Sequence, residues 1–465
     1  TCGGAISGDP AGLSMANGRF GKVYTFSVVG NALQLTIGMA VSDAAVWTSS
    51  TGGDWTDAAN WAEAPGVGAA GLPVGFTEAI VAPATVNVAG AVTAGELLFD
   101  NPNAYMLTGA GNLTLATTND APASVTVRQG THTVALPVVI GGGLSVAAVD
   151  GELHITGAVS GEGKLVKSGA GRLKLAGANT YTGGTEILSG VVDVTGASPL
   201  GTGPVSIGED GGFAAKDAPA VIANDVSAGG MAWLGAYAPL RLSGNWTLRD
   251  GNTVITKVAT NELVVTGALK PSAAGFNQLA IRNGAVRFAA GADVLFRSGS
   301  TRESITFQNV EGTPPLRTLT VEAGAKVEAQ CLYMTLGRTN DLFVAGGELR
   351  LTGNGANNDA IVFGAGNGTV QRLMVSGGTL WAADGTWSLL GVENGPRAIE
   401  VGGGAVSLAK VSLGVRDDAS STSGAQAHPV TLRLAGGLLE ARESWNWLAD
   451  RNGARLNEVC LDGGR

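Results

Sequence analysis

The chain has 465 residues, of which 73 are glycine, 45% are hydrophobic and only 14% are charged. It lacks the glycine at every third position that collagen requires, and it is too rich in apolar residues to be disordered. Its net charge of −9 comes without a basic stripe, and aromatic residues make up only 5%. This composition excludes nucleic-acid binding, which needs cations for the phosphates and rings for the bases.

Two segments near the N-terminus, residues 22–29 and 31–37, alternate apolar and polar residues. Such alternation predicts strands, and Gly30-Asn31 between them is typical of a hairpin turn. We expect residues 1–45 to form a β-hairpin that caps the following domain or ends a preceding repeat region. Residues 46–465 are predicted to form one continuous repeat domain.

Three tryptophans follow in a loop rich in glycine, aspartate and asparagine: Trp47, Trp55 and Trp61. Sugars stack on exposed indoles, so these residues are the best candidates for carbohydrate binding. Alternatively, they cover the open end of the repeat domain, where a solenoid must shield its core. We favour the capping interpretation and keep sugar stacking as the alternative.

The most regular part of the chain is residues 161–207, where short alternating runs such as RLKL (172–175) are separated by glycine-rich turns. This pattern is typical of strands with one buried face that follow one another around a β-solenoid. Lys174 is predicted to point outward. The residues predicted to point inward are Leu173, Leu175, Ile187, Val192 and Val194.

Residues 167–185, KSGAGRLKLAGANTYTGGT, are followed by Gly190 and by LGTG at 200–203. This stretch resembles the autotransporter-associated β-strand repeat of secreted or surface proteins of Gram-negative bacteria. The resemblance implies an all-β fold, a right-handed parallel β-helix of the pectin-lyase-like or passenger-like type. It also implies export to the outer-membrane surface and a structural or adhesive role, with a translocator or anchor outside this fragment.

A second repeat covers residues 319–465, where apolar strands end on glycine pairs. Successive pairs lie 31, 25, 34 and 27 residues apart, so the variation falls in the loops, as solenoids tolerate. The predicted equivalent positions before these pairs are Val344, Val375, Val401, Leu434 and Leu461. Trp387, Trp445 and Trp447 occur at similar places in two of the repeats, which predicts a ladder of stacked rings in the core or at a corner.

The three cysteines, Cys2, Cys331 and Cys460, are odd in number and widely spaced. This spacing fits neither a disulfide framework nor a zinc site. Cys331 and Cys460 lie in predicted strands and are expected to act as small core hydrophobes.

Acidic residues fall mostly in predicted turns rather than in a convergent cluster. They include Asp54, Asp57, Asp341, Asp359, Asp384, Asp417 and Asp418. His132, His154 and His428 are isolated from any candidate nucleophile, which argues against a catalytic triad. We therefore predict no catalytic residue, no cofactor site and no metal site.

Three hypotheses for function remain. The first is a non-catalytic structural or adhesive passenger segment, a stiff stalk that displays loops toward host or environmental glycans or surface proteins. The second is a carbohydrate-binding module that uses the tryptophan loop. The third is a polysaccharide-degrading enzyme on a pectin-lyase-like β-helix, which would need clustered carboxylates. The first is favoured, and no apolar stretch long enough to span a membrane is present.

Overall fold

The computed structural model describes residues 22–29, 32–39, 44–62, 70–119, 121–249, 252–272, 276–296, 304–308, 316–334, 339–353, 358–363, 370–390, 397–413, 430–447 and 458–461. Within these ranges the regular structure is β, apart from a short 3-10 helix at Ala58–Asn60. The chain forms two compact units, Thr1–Gly184 (unit 1) and Thr185–Arg465 (unit 2).

Unit 1 begins with an antiparallel hairpin, in which β1 (Lys22–Val29) pairs with β2 (Ala32–Met39). This pairing confirms the predicted hairpin. The residues predicted to form its turn, Gly30 and Asn31, lie outside the described residues. The domain boundary near residue 46 stays a prediction.

The remaining strands of unit 1 are short, because turns rich in glycine and asparagine interrupt the chain every few residues. They are β3 (Ala45–Val46), β4 (Gly53–Asp54), β5 (Pro73–Phe76), β6 (Ala84–Asn87), β7 (Val92–Ala94), β8 (Glu96–Asp100), β9 (Tyr105–Thr108), β10 (Leu113–Leu115), β11 (Ala123–Gln129), β12 (Thr131–Val134), β13 (Val138–Ile140), β14 (Leu144–Ala148), β15 (Glu152–Ile155), β16 (Val159–Ser160), β17 (Leu165–Ser168) and β18 (Arg172–Leu175).

From β5 to β15, each strand of unit 1 pairs in parallel with the strand three places later. The chain therefore makes three strands per coil, and successive coils stack them into three columns. This arrangement is a parallel β-solenoid, which confirms the predicted fold class.

Unit 2 follows the same plan, and several of its strands continue through a corner of the coil. Its strands are β19 (Thr185–Gly196), β20 (Val205–Ile222), β21 (Val226–Ala228), β22 (Met231–Ala236), β23 (Leu240–Leu242), β24 (Trp246–Leu248), β25 (Asn252–Val258), β26 (Leu263–Val265), β27 (Ala268–Pro271), β28 (Phe276–Ile281), β29 (Gly284–Phe288), β30 (Asp293–Phe296), β31 (Ile305–Phe307), β32 (Leu316–Glu322), β33 (Lys326–Ala329), β34 (Leu332–Tyr333), β35 (Thr339–Leu351), β36 (Asp359–Phe363), β37 (Val370–Ala382), β38 (Trp387–Leu390), β39 (Arg397–Val401), β40 (Ala405–Leu413), β41 (Val430–Leu434), β42 (Leu438–Trp447) and β43 (Glu458–Leu461).

The alternation of the sequence decides which side chains fill the core. Leu173 and Leu175 are 0% exposed and lie in register with Leu153 and Ile155 of the previous coil. In unit 2, Ile187, Val192 and Val194 are equally buried. The inward-facing prediction is confirmed at all five positions, and each such burial contributes about 1.5–3 kcal/mol.

The second repeat is also confirmed by strand register. Val344 pairs with Val375, Val375 with Val401, Val401 with Leu434, and Leu434 with Leu461. Loops of different length therefore leave this position of the coil unchanged.

The glycine pairs differ from the prediction at one coil. The spacing in the sequence predicts Gly402 and Gly403, which follow Val401, as the third pair, but Gly404 is the residue that stacks on Gly378. Gly404 has a φ of +74°, and a Cβ there would lie 2.4 Å from the carbonyl oxygen of Gly378. Only glycine fits so close an approach of two backbones.

In the part of the chain that the structure describes, no helix is long and apolar enough to cross a membrane.

Candidate functional site

The three tryptophans of the N-terminal loop are buried. Trp47 and Trp55 are 1% exposed and Trp61 is 5% exposed. The ring centroid of Trp61 lies 4.9 Å from that of Trp47 and 5.2 Å from that of Trp55, both in edge-to-face geometry. Trp61 Nε1 also donates a hydrogen bond of 2.7 Å to the carbonyl oxygen of Trp55. Such rings offer no open face for a sugar, so the sugar-stacking alternative is wrong for this loop.

The tryptophans continue into an aromatic stack inside unit 1. The ring of Phe76 lies 5.8–6.0 Å from each of the three indoles. Phe76 stacks on Phe99 at 5.2 Å, and Phe99 stacks on His132 at 4.8 Å. We call Trp47, Trp55 and Trp61 the tryptophan cap, because they cover this aromatic core as the favoured interpretation requires.

His132 is a core residue that the sequence analysis set aside as isolated. It is 0% exposed. The signal was present in β12, where THTV alternates and places His132 on the same side as Val134, which is also buried. His154 lies on the outward side of β15 and pairs with Glu152 at 3.2 Å, whereas His428 lies outside the described residues.

Two acidic residues were predicted to lie in turns, and that prediction is wrong. Asp341 in β35 and Asp359 in β36 are both only 2% exposed. Asp341 accepts a hydrogen bond of 2.8 Å from Arg372 Nε, and Asp359 accepts one of 3.0 Å from the hydroxyl of Tyr333. Their contacts are with partners on neighbouring coils.

The remaining predicted acidic positions are scattered. Asp54 is exposed in β4, Asp57 caps the 3-10 helix by accepting from the backbone N–H of Ala59, and Asp384 lies in an exposed turn. Asp417 and Asp418 lie outside the described residues. Among the residues that the structure describes, no three His, Cys, Asp or Glu side chains come together as a metal site would require.

Cys331 is 0% exposed, which confirms its role in the core, but it lies just before β34 rather than in a strand. Cys460 does lie in a strand, β43.

The predicted ladder of Trp387, Trp445 and Trp447 is wrong in register. Trp387 pairs with Lys410, and Lys410 pairs with Ser444.

An outward-facing row of residues in unit 2 is the most distinctive described surface. Along successive coils, Glu328 pairs with Arg350, Arg350 with Trp381, Trp381 with Ser407, and Ser407 with Glu440. We call these five residues the Trp381 row. Because parallel strands stack about 4.8 Å apart, the row spans roughly 19 Å of one sheet face.

Trp381 is half-buried at the centre of this row. The guanidinium of Arg350 lies 4.4 Å from its ring centroid, and that of Arg442 lies 5.3 Å from it. Arg442 also donates to the side chains of Asp384 (Nε, 3.0 Å) and Ser407 (Nη1, 2.5 Å). The indole is therefore held in place by cations and by a polar network from four coils.

The same arrangement recurs at the other half-buried tryptophans whose side chains are described. Arg282 lies 5.0 Å from the ring centroid of Trp233, and Lys410 Nζ lies 5.6 Å from that of Trp387. A cation over an indole occupies the face on which a sugar would stack.

Coils of three strands, stacked in parallel with glycines at their corners, define the class of this molecule as a repetitive parallel β-solenoid. The family model described as "Passenger-associated-transport-repeat" matches residues 165–194. The chain is also 30% identical over 246 residues to "Adhesin BmaC autotransporter" of Brucella suis biovar 1 (strain 1330). That alignment covers 51% of this chain and 6% of the relative. No solved structure matches the chain. Residues 165–194 therefore resemble a passenger-associated repeat, and about half of the chain resembles part of an autotransporter adhesin.

Proposed function

We propose that this chain is a non-catalytic structural and adhesive passenger segment of an exported bacterial surface protein. The observation that carries this proposal is the match of a passenger repeat to residues 165–194. These residues contain β17, β18 and the first part of β19, whose inward residues fill the solenoid core. The similarity to an autotransporter adhesin over half of the chain supports the same role.

We place the chain outside the cell, secreted or at the outer-membrane surface. A translocator or anchor would belong to another part of the same protein. The chain spans 6% of the length of the adhesin that it resembles. We therefore propose a contribution to adhesion by this segment and not the full activity of that protein.

The segment acts by contact and not by chemistry. Polysaccharide lyases and hydrolases need acids and bases that converge on one bond. The buried carboxylates of Asp341 and Asp359 instead hydrogen-bond to Arg372 and Tyr333 on other coils. Their contacts stabilise the stacking of coils.

We assign the contact surface to the Trp381 row and its partner to a surface protein. A sheet face with a fixed indole and two guanidiniums suits a protein partner, because few side chains must be ordered on binding. Host or environmental glycans are the other candidate partners, and the experiment below separates them.

The test uses the full chain coupled to beads. Bead retention is measured on cell monolayers, on the same cells after protease treatment and on the same cells after glycosidase treatment. We expect retention that protease abolishes and that Trp381→Ala lowers about tenfold or more, as for a central interface residue. Trp233→Ala is the matched control, since it removes another half-buried indole with one cation over its ring.

Two results would contradict the proposal. Retention that only glycosidase removes would move the partner to a glycan. Release of new reducing ends or unsaturated products from a polysaccharide panel, abolished by a single carboxylate-to-amide change, would make the chain an enzyme.

A further inference from the structure

A buried histidine lies at the far end of the aromatic stack that begins at the tryptophan cap of unit 1. The His132 ring packs on Phe99 at 4.8 Å and on Tyr105 at 5.9 Å, and its side chain has no exposed surface. Phe99 stacks in turn on Phe76, which contacts all three cap tryptophans. His132 is therefore connected to the cap through the packed rings of Phe99 and Phe76.

The hydrogen bonds of His132 fit only the neutral ring. Nε2 lies 2.9 Å from the carbonyl oxygen of Gln129, which accepts, so Nε2 carries the proton. Nδ1 accepts a 3.1 Å hydrogen bond from the backbone N–H of Tyr105, so Nδ1 must be bare. Protonation at Nδ1 would place a ring N–H opposite the backbone N–H of Tyr105, so that two donors face each other. The buried N–H of Tyr105 would then lose its acceptor.

The charged groups around His132 are already paired with one another. Asp100 on β8 accepts from Arg128 Nη1 at 3.2 Å and from Gln129 Nε2 at 2.9 Å, both on β11. On β15, which lies beside β12, Glu152 pairs with His154. The phenol of Tyr105 on β9 donates to the carbonyl oxygen of Thr77.

Burial is the largest influence on this histidine and lowers its pKa. Two smaller influences raise the pKa. They are the hydrogen bonds to the backbone carbonyls of Gln129 and Asn101 and the negative charge of Asp100. The geometry and the electrostatics thus agree that the folded coil holds the neutral form.

Tyr105 begins β9, which pairs with β6 on one side and with β12 on the other. The Tyr105 N–H bond to His132 is therefore the contact that fixes the start of this strand against the next coil. We propose that His132 is an acid-sensitive latch, whose protonation releases Tyr105 and loosens β6, β9 and β12 beneath the tryptophan cap. This goes beyond the proposed adhesive role, since it makes the N-terminal coils of unit 1 responsive to acid.

The experiment measures amide hydrogen exchange of the full chain by mass spectrometry between about pH 7 and pH 5, corrected for the intrinsic pH dependence of exchange. We expect peptides covering residues 105–108 to lose protection by about tenfold for each unit by which the pKa of His132 lies below its ordinary value. Peptides covering residues 226–248 of unit 2 are the internal reference and should keep their protection.

Two variants test whether the pH dependence of exchange comes from the His132 ring. His132→Asn supplies a carbonyl oxygen near the position of Nδ1 but does not titrate, so its exchange should no longer depend on pH. His154→Asn removes a partly exposed histidine from the next coil and should retain the full dependence. A pH effect that survives in His132→Asn, or disappears in His154→Asn, overturns the proposal.

Should His132→Asn fail to fold, the wild-type chain still decides the matter. Only three histidines are present, so selective ¹³C labelling and NMR can follow each ring. We expect the His132 resonance to titrate below the ordinary range, and the loss of protection at residues 105–108 to develop as the pH falls from the ordinary histidine pKa to that lower value. Ordinary titration, or titration without loss of protection, refutes the latch.

Discussion

The ammonium group of Lys257 holds the carbonyl oxygen of Ala259 at 2.6 Å, and Ala259 has a left-handed backbone with a φ of +69°. The same Nζ also donates to the carbonyl oxygens of Asn261 and Asn283, each at 2.6 Å. Lys257 is fully buried, and burial lowers its pKa to about 7. The buried Lys257 side chain thus stabilises a corner of unit 2 by hydrogen bonds to three carbonyl oxygens. The backbone of this corner is strained at Ala259.

Replacing Ala259 with glycine should stabilise unit 2. A left-handed conformation costs a non-glycine residue about 1–2 kcal/mol, and part of this gain is offset by the greater freedom of glycine in the unfolded chain. We expect the free energy of unfolding to rise by about 0.5–1 kcal/mol in urea denaturation. The control is Ala290→Gly in a turn without a positive φ, which should lower stability. Equal effects at both positions would show that the corner is unstrained.

The facing of β18 predicts a sharp difference between two neighbouring residues. Leu175→Asp would bury a carboxylate in the core and should cost several kcal/mol, enough to melt adjacent coils. Lys174→Asp changes a half-buried outward position and should cost about 1 kcal/mol or less. Thermal unfolding followed by circular dichroism measures both changes, and similar losses would mean that the facing is wrong.

The glycine corners predict a second matched pair. Gly404→Ala would place a methyl group 2.4 Å from the carbonyl oxygen of Gly378 at a φ of +74°. A Cβ added to Gly402 would meet nothing within 4 Å. We expect Gly404→Ala to cost about 2 kcal/mol or more and Gly402→Ala to be nearly neutral. A neutral Gly404→Ala would contradict the stacking of residues 378 and 404.

The tryptophan cap should matter for stability far more than the surface tryptophans. Trp61→Ala removes a buried indole that contacts Trp47, Trp55 and Phe76, and such truncations cost about 3–5 kcal/mol. Trp381→Ala removes a half-buried ring and two cation contacts, and should cost about 1–2 kcal/mol. Chemical denaturation compares the two, and the reverse order would place the cap outside the core.

Local alternation was enough to predict the fold and the inward residues of β18, because a strand shows its facing within four residues. Register between coils was harder to predict. Trp387 and Trp445 occupy similar places in the sequence, but a register shift between Leu408 and Lys410 places them one position apart on the coil.

The burial of polar residues was also missed for a physical reason. Asp341 is covered by Arg372, which lies 31 residues later in the chain. His132 was considered only as a triad histidine and found isolated from any nucleophile, although THTV placed it on the buried side of β12. Burial of a polar group depends on partners that arrive from other coils, and a single strand does not reveal them.

The most direct test of the account is adhesion by living cells that display this chain. Non-adherent bacteria would carry the full chain on an unrelated outer-membrane anchor, and adherence would be counted against bacteria with the anchor alone. The account predicts adherence that is lost with Trp381→Ala and kept with Trp233→Ala at equal surface display. Adherence no higher than that of the anchor alone, with the chain folded and exposed, would contradict an adhesive role.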